Sequence, residues 1–198
     1  ISALGISSAD HVVAYDSNGF FASARAWWMF RAMGHDKVQV LDGGLAAWQA
    51  AGGALETEKP KPAPGVFSAT HQPDLVRDME EMRTHVGDGN ARVLDARAEG
   101  RFNGTAPEPR KGLPSGHMPG SFCVPVPSLR NADGLMQPAD ALRTDLSDHL
   151  DAPVVTTCGS GVSAAVIALA LARAGQWSAA VYAGSWSEWA APGDNPLA

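Results

Sequence analysis

Residues 154–164 read Val-Val-Thr-Thr-Cys-Gly-Ser-Gly-Val-Ser-Ala, and the chain continues as an Ala- and Leu-rich apolar stretch to Ala174. The β-branched opening predicts a strand over 154–157, and the apolar stretch, stopped by Gly175, predicts a buried helix. Between them Gly159 and Gly161 permit a tight backbone path. A strand-to-helix turn of this kind aims successive backbone N–H groups into one hollow at the positive end of the helix dipole. A thiolate on Cys158 would be stabilised and activated there, with Ser160 and Ser163 adding hydroxyl donors. The plain alternative is a small thiol buried at a strand end, which is how most free cysteines behave. The Gly-Ser-Gly flank favours the reactive reading.

Working outward, the same strand–helix order recurs. Residues 11–16, His-Val-Val-Ala-Tyr-Asp, predict a strand ending at Asp16-Ser17-Asn18-Gly19. A helix from Phe20 to Gly34, a strand over Val38–Leu41 and a helix over Leu45–Ala51 follow. Residues 56–65, with Pro60, Pro62 and Pro64, read as an extended linker. Beyond it lie a helix over Leu75–Val86, a strand over Arg92–Asp95, a Gly/Pro-rich loop from Gly100 to Pro127 and a helix over Ala139–Leu150. Loops of that length in a compact domain are usually functional or disordered. The alternation implies a parallel sheet with crossover helices.

The two halves repeat one another. Val12-Val13-Ala14-Tyr15-Asp16 aligns with Val154-Val155-Thr156-Thr157-Cys158, and Leu41-Asp42-Gly43-Gly44, followed by Trp48, aligns with Tyr182-Ala183-Gly184-Ser185, followed by Trp189. A duplicated α/β domain is the economical reading, with Asp16 standing where the second copy has Cys158. The counterparts of Val66 through Pro127 would fall ahead of residue 1. The expected organisation is therefore an incomplete, silent first domain (1–55), a linker (56–65) and a catalytic domain (66–198). The rest of the first domain would be absent, cleaved, or held as a separate bound fragment.

Composition narrows the function classes. The 198 residues carry 15 basic and 21 acidic side chains for a net charge of -6, without the basic footprint that nucleic acid or an anionic membrane surface requires. Cys123 and Cys158 are too few for a disulfide framework and, with six scattered histidines, too few for a structural zinc site. No apolar run is long enough for a membrane span, and a reducing cytoplasm is the expected setting. No metal or cofactor is expected: there is no phosphate-binding Gly-x4-Gly-Lys loop, dinucleotide fingerprint or His-Glu-x-x-His site. A Cys-x5-Arg phosphatase would need arginine at position 164, which is alanine. A thioredoxin-like pair would need cysteine at 161, which is glycine.

Three motifs together resemble the rhodanese superfamily and, within it, the two-domain mercaptopyruvate sulfurtransferases. Cys158-Gly159-Ser160-Gly161-Val162 is similar to their active-site loop, Val181 through Trp189 resembles their C-terminal signature, and Ser115-Gly116-His117-Met118-Pro119-Gly120 resembles their domain signature. Ser163 replaces a usual threonine, and Ala183 stands where aspartate is common. The resemblance implies tandem rhodanese-like domains, each with a mainly parallel central sheet flanked by helices, the first incomplete and silent. It also implies that Cys158 takes sulfur from 3-mercaptopyruvate, releases pyruvate and passes the resulting persulfide to cyanide or a thiol acceptor such as thioredoxin. The N–H groups of Gly159, Gly161, Val162 and Ser163 would hold the terminal sulfur. Ser160 would join a proton relay whose Asp and His partners come from the family's N-terminal domain.

Residues 101–110, Arg-Phe-Asn-Gly-Thr-Ala-Pro-Glu-Pro-Arg, resemble the family's substrate-gripping loop. Arg101 and Arg110 would pair with the carboxylate and keto oxygen of the substrate, as guanidinium forks do, although two solvated surface arginines are the plainer reading. Thiosulfate-using rhodaneses generally lack the counterpart of Arg110, so the resemblance favours the keto acid over thiosulfate. The competing class is a non-catalytic persulfide carrier. His117 is expected to fix its turn through a hydrogen bond, Asp95 and Arg97 to form a buried structural pair, and Cys123 to be a packed thiol. Trp27, Trp28, Trp48, Trp186 and Trp189 read as core aromatics.

Overall fold

In the computed structural model, which describes residues 1–191 and 193–198, the chain divides into two units, Ile1–Gln72 and Pro73–Ala198. The first contains β1 (Val12–Ala14), α1 (Phe21–Ala32), β2 (Val38–Val40) and α2 (Gly44–Ala50). β1 and β2 pair in parallel, Val12 opposite Val38. Residues 66–72 belong to this unit rather than to the one that follows the expected linker. Their backbone is tied back to it: Val66 O accepts from Ser8 N at 3.0 Å, Thr70 N donates to Met33 O at 2.9 Å and Gln72 N to Ala32 O at 2.8 Å.

The second unit runs β3 (Val76–Arg77), α3 (Met79–Asp88), β4 (Arg92–Asp95), α4 (Glu99–Phe102), β5 (Phe122–Cys123), α5 (Ala139–Asp145), α6 (Ser147–Leu150), β6 (Val154–Thr157), α7 (Ala164–Ala174), β7 (Ala180–Tyr182) and α8 (Ser185–Trp189). Its five strands lie in the order β3-β7-β6-β4-β5, all parallel. Every residue of β6 is buried, as a central strand covered on both faces requires. One layer of the core is built from Met82, Val93, Met118, Val155, Tyr182, Trp186 and Trp189. Helix α7 buries nearly all of its small apolar side chains, and α5 packs against it. The α7 C-terminus is closed by Gly175 at φ 113°. Gly175 N reaches Ala172 O at 3.1 Å and Gln176 N reaches Leu171 O at 2.8 Å, which satisfies two carbonyls of the last turn.

The strands expected at 92–95 and 154–157 fall where the sequence placed them. Other elements differ from the expectation. The helix expected from Leu75 begins at Met79, because Asp78 and Glu81 form a reciprocal capping box, each accepting from the other's N–H at 2.9 Å. The residues before it become β3, paired with β7. The single helix expected over 139–150 tightens at Leu146 (φ -104°, ψ 11°) into two. The long loop contains α4 and the edge strand β5. Among the five tryptophans read as core, Trp48 is 44% exposed; its ring lies against Gly53 and its N–H reaches Ala54 O at 2.9 Å. No helix of the described residues is long and apolar enough to cross a membrane.

Candidate active site

Cys158 leaves the end of β6 with 1% of its surface exposed. The turn to α7 then brings the Gly161 N–H onto Cys158 Sγ at 3.1 Å. Gly161 adopts φ +82°, and a Cβ there would collide with the Ala183 carbonyl, so both conformation and space demand glycine. Ser160 is exposed at the crest of the turn, with Val162 and Ser163 half-buried behind it.

The cysteine is held from below by the first turn of α8. Trp186 N donates to Cys158 O at 2.9 Å, and Ser187 N to Gly159 O at 3.0 Å. The Ser187 hydroxyl donates to that same Gly159 carbonyl. In the other direction, Cys158 N donates to Ser185 Oγ at 3.1 Å, and the Ser185 hydroxyl donates to Tyr182 O at 2.9 Å. The position of the thiol thus depends on residues 24 or more places away in sequence.

A ladder of buried charges supports one side of the site. Arg97 pairs with Asp95 at 2.8 Å and with Glu108 at 2.7 Å, donates to Gly116 O at 2.7 Å and lies over the Trp186 ring at 4.3 Å. Glu108 grips Arg101 in turn, through Nη2 at 2.6 Å and Nε at 3.1 Å. Burial opposes ionisation of Glu108, but the two guanidiniums outweigh it and hold the carboxyl below its ordinary value. Two carboxylates and two guanidiniums balance, and only Arg101, its side chain 26% exposed, reaches the surface. Its Nη2 lies 2.7 Å from where a Cβ on residue 159 would stand, so Gly159 makes room for it beside the thiol.

The structure thus brings Arg101 to the Cys158 loop. Arg110 stands exposed at the far end of the same segment. His117 stacks on Phe102 at 4.0 Å and its Nδ1 lies 2.9 Å from the Phe102 carbonyl oxygen, a fixing contact of the expected kind. The Cys123 thiol lies 3.6 Å from Arg97 O, and burial, with the nearby Asp95 carboxylate adding to it, pushes its pKa up to about 11, which disfavours the thiolate. Among the described residues no group of three metal-ligating side chains is assembled.

The first unit holds the same turn with a carboxylate in place of the thiol. Asp16 accepts from Asn18 N at 2.7 Å, Ala22 N at 2.8 Å and Ser23 N at 2.7 Å. Burial opposes its ionisation, but these backbone donors prevail and lower its pKa. Sequence reasoning missed Ser185, Ser187 and Glu108. The repeat alignment carried a signal for the first, since serine faces Gly44 where cysteine faces Asp16; for Glu108 the signal was a lone acid between two arginines.

The sequence pattern of the rhodanese-like domain matches residues 2–51 and 78–192. The mitochondrial thiosulfate/3-mercaptopyruvate sulfurtransferase 1 of Arabidopsis thaliana is 41% identical over 99% of this chain and 58% of its own length. The 3-mercaptopyruvate sulfurtransferase of Homo sapiens is 39% identical over 94% of this chain and 64% of its own. Among solved structures, SseA of Escherichia coli, described as a 3-mercaptopyruvate sulfotransferase of rhodanese fold, superposes with a TM-score of 0.80 at 35% identity, covering 94% of this chain and 70% of that one. The chain therefore spans 58–64% of the length of these curated relatives. With the family pattern falling on both copies of the strand–turn–helix unit, this chain belongs to the rhodanese-like domain family.

Proposed function

We propose that this chain is the sulfur-carrying part of a sulfurtransferase, and that Cys158 takes its sulfur from 3-mercaptopyruvate. The observation that carries the reading is the joint placement of a backbone donor on Cys158 Sγ, from Gly161 at 3.1 Å, and of the Arg101 guanidinium against Gly159. A nucleophile and a carboxylate-binding group thus meet at one loop. The names of relatives about 40% identical point the same way.

The steps balance without an external redox agent. The Cys158 thiolate attacks the sulfur of 3-mercaptopyruvate; the S–S bond forms as the C–S bond breaks, with the electron pair leaving on carbon as the enolate of pyruvate. A proton then converts the enolate to pyruvate, and the sulfur remains as a Cys158 persulfide. The turn's N–H groups face the anionic terminal sulfur. An acceptor thiolate, of thioredoxin or a small thiol, attacks that sulfur and restores the Cys158 thiolate. Arg101, pre-set by Glu108, takes the substrate carboxylate. Arg110 reads the keto oxygen, and Ser160 donates its hydroxyl at the reacting sulfur.

Thiosulfate is the second reading for the donor, because the Arabidopsis relative is named for both compounds. Pyruvate assayed after mixing the protein with 3-mercaptopyruvate and a thiol acceptor tests the proposal. Release that depends on Cys158 supports it. Loading of Cys158 by thiosulfate alone would establish the second reading, and loading by neither donor would leave a persulfide carrier charged by another protein.

A further inference from the structure

Ser185 is buried completely and is the one non-glycine residue among those described with positive φ, at 54°. An L side chain adopts this conformation under strain, and glycine adopts it freely. The first copy of the repeat shows the unstrained solution. Gly44, aligned with Ser185, has φ +58°, and a Cβ there would collide with the Asp16 carbonyl. The hydrogen bond that follows is kept in both copies: Leu45 N to Asp16 O at 3.0 Å, and Trp186 N to Cys158 O at 2.9 Å. The turn is therefore made equally well with glycine. What serine adds is a hydroxyl, and it adds it in the copy that carries the thiol.

That hydroxyl lies under the nucleophile. It accepts the Cys158 N–H at 3.1 Å, donates to Tyr182 O at 2.9 Å and has Cys158 Sγ within 3.9 Å. The Cys158 N–H is buried at the strand end, where an unmade hydrogen bond is costly and the backbone would shift to find another acceptor. Such a shift would carry Sγ away from the Gly161 N–H. The Ser185 O–H can also turn from the Tyr182 carbonyl toward the sulfur as negative charge gathers there.

We infer that Ser185 is a positioning residue for Cys158, retained against backbone strain because its hydroxyl fixes the cysteine backbone and offers the sulfur a second donor. This inference rests on the sulfurtransferase reading, yet part of its test does not depend on a donor substrate. Ser185→Gly removes the hydroxyl and relieves the strain together, reproducing what the silent copy already uses. A purely structural residue would lose activity only in step with stability.

The experiment compares wild type, Ser185→Gly and Ser185→Ala by thermal melting, by kcat and KM for 3-mercaptopyruvate, and by the rate of Cys158 alkylation with iodoacetamide at fixed pH. The expected result for Ser185→Gly is a Tm close to wild type, because the strain relieved offsets the hydrogen bond lost, with kcat lower by about 10-fold, little change in KM, and alkylation slowed several-fold. Ser185→Ala should lose kcat equally with a lower Tm. Wild-type kcat and alkylation rate in a folded Ser185→Gly would overturn the inference. Should wild type release no pyruvate, the sulfurtransferase reading fails, and the alkylation rates still decide the role of Ser185.

Discussion

Asp16 and Cys158 occupy the same place in two copies of one turn: the carbonyl of each accepts the N–H from the first turn of a short helix, Leu45 at 3.0 Å for Asp16 and Trp186 at 2.9 Å for Cys158. The side chains then diverge. The Asp16 carboxylate is itself the anion of its hollow, gathering three backbone N–H groups at 2.7–2.8 Å. Cys158 Sγ gathers one, from Gly161 at 3.1 Å. The two copies thus differ by which side chain meets the backbone N–H groups of the turn, a carboxylate or a thiol.

Asp16→Ala should destabilise the first unit by about 1–2 kcal/mol at neutral pH, the usual cost of losing a helix-capping side chain. Because the folded pKa of Asp16 lies below its ordinary 3.8, the stability that its ionisation contributes is present in full above that value. It is lost as pH falls through the lower folded value. Urea midpoints of wild type and variant should differ near pH 7 and converge in strong acid. A gap that stays constant would contradict the capping role.

Glu108→Gln should be costly, because it leaves Arg97, buried over Trp186, with one carboxylate for two roles. Breaking a buried pair costs about 3–5 kcal/mol, and the neutral isostere should fall at the lower end. The carboxylate also aims Arg101, so KM for the keto acid should rise more than kcat falls. An unchanged KM in a folded Glu108→Gln would separate the ladder from substrate binding.

Gly161→Ala should leave the chain folded but disable the loop. Its Cβ would meet the Ala183 carbonyl at φ +82°, so the turn must open and withdraw its N–H from the sulfur. Loss of one such donor at a reacting atom costs about 100-fold or more in kcat. Near wild-type turnover would mean that the Gly161 N–H is not used.

Arg110→Ala should lower kcat/KM for 3-mercaptopyruvate by about 10–100-fold, the worth of a charged hydrogen bond, while leaving any thiosulfate activity nearly unchanged. Arg101→Ala should depress both, because its guanidinium stands beside the thiol loop itself. Parallel losses on both donors in Arg110→Ala would show that Arg110 does not read the keto acid.

Much of this was legible from residues alone because the decisive signals are local. The strand, the two glycines and the apolar helix around Cys158 sit within one stretch of sequence, and the repeat placed Asp16 as its counterpart. The supports were harder to read. Ser185 lies 27 positions from Cys158 and meets it only because β6 and β7 pair in parallel, while Glu108, 11 positions from Arg97, meets it only because the chain turns back after α4. Where β3 ends and α3 begins was written in the Asp78–Glu81 capping box, but the apolar residues before it imitate a continuing helix. Trp48 misled for another reason: its repeat partner Trp189 is buried within the core layer of the second unit, whereas in the first unit the ring rests on Gly53 at the surface.

The most direct test of the account is the intact mass of the protein after a single exposure to 3-mercaptopyruvate, read beside the pyruvate released. The account predicts one added sulfur atom, on Cys158, for each pyruvate formed, and neither product with Cys158→Ser. Pyruvate release undiminished in Cys158→Ser, or no sulfur on Cys158 of the wild-type chain, would contradict it.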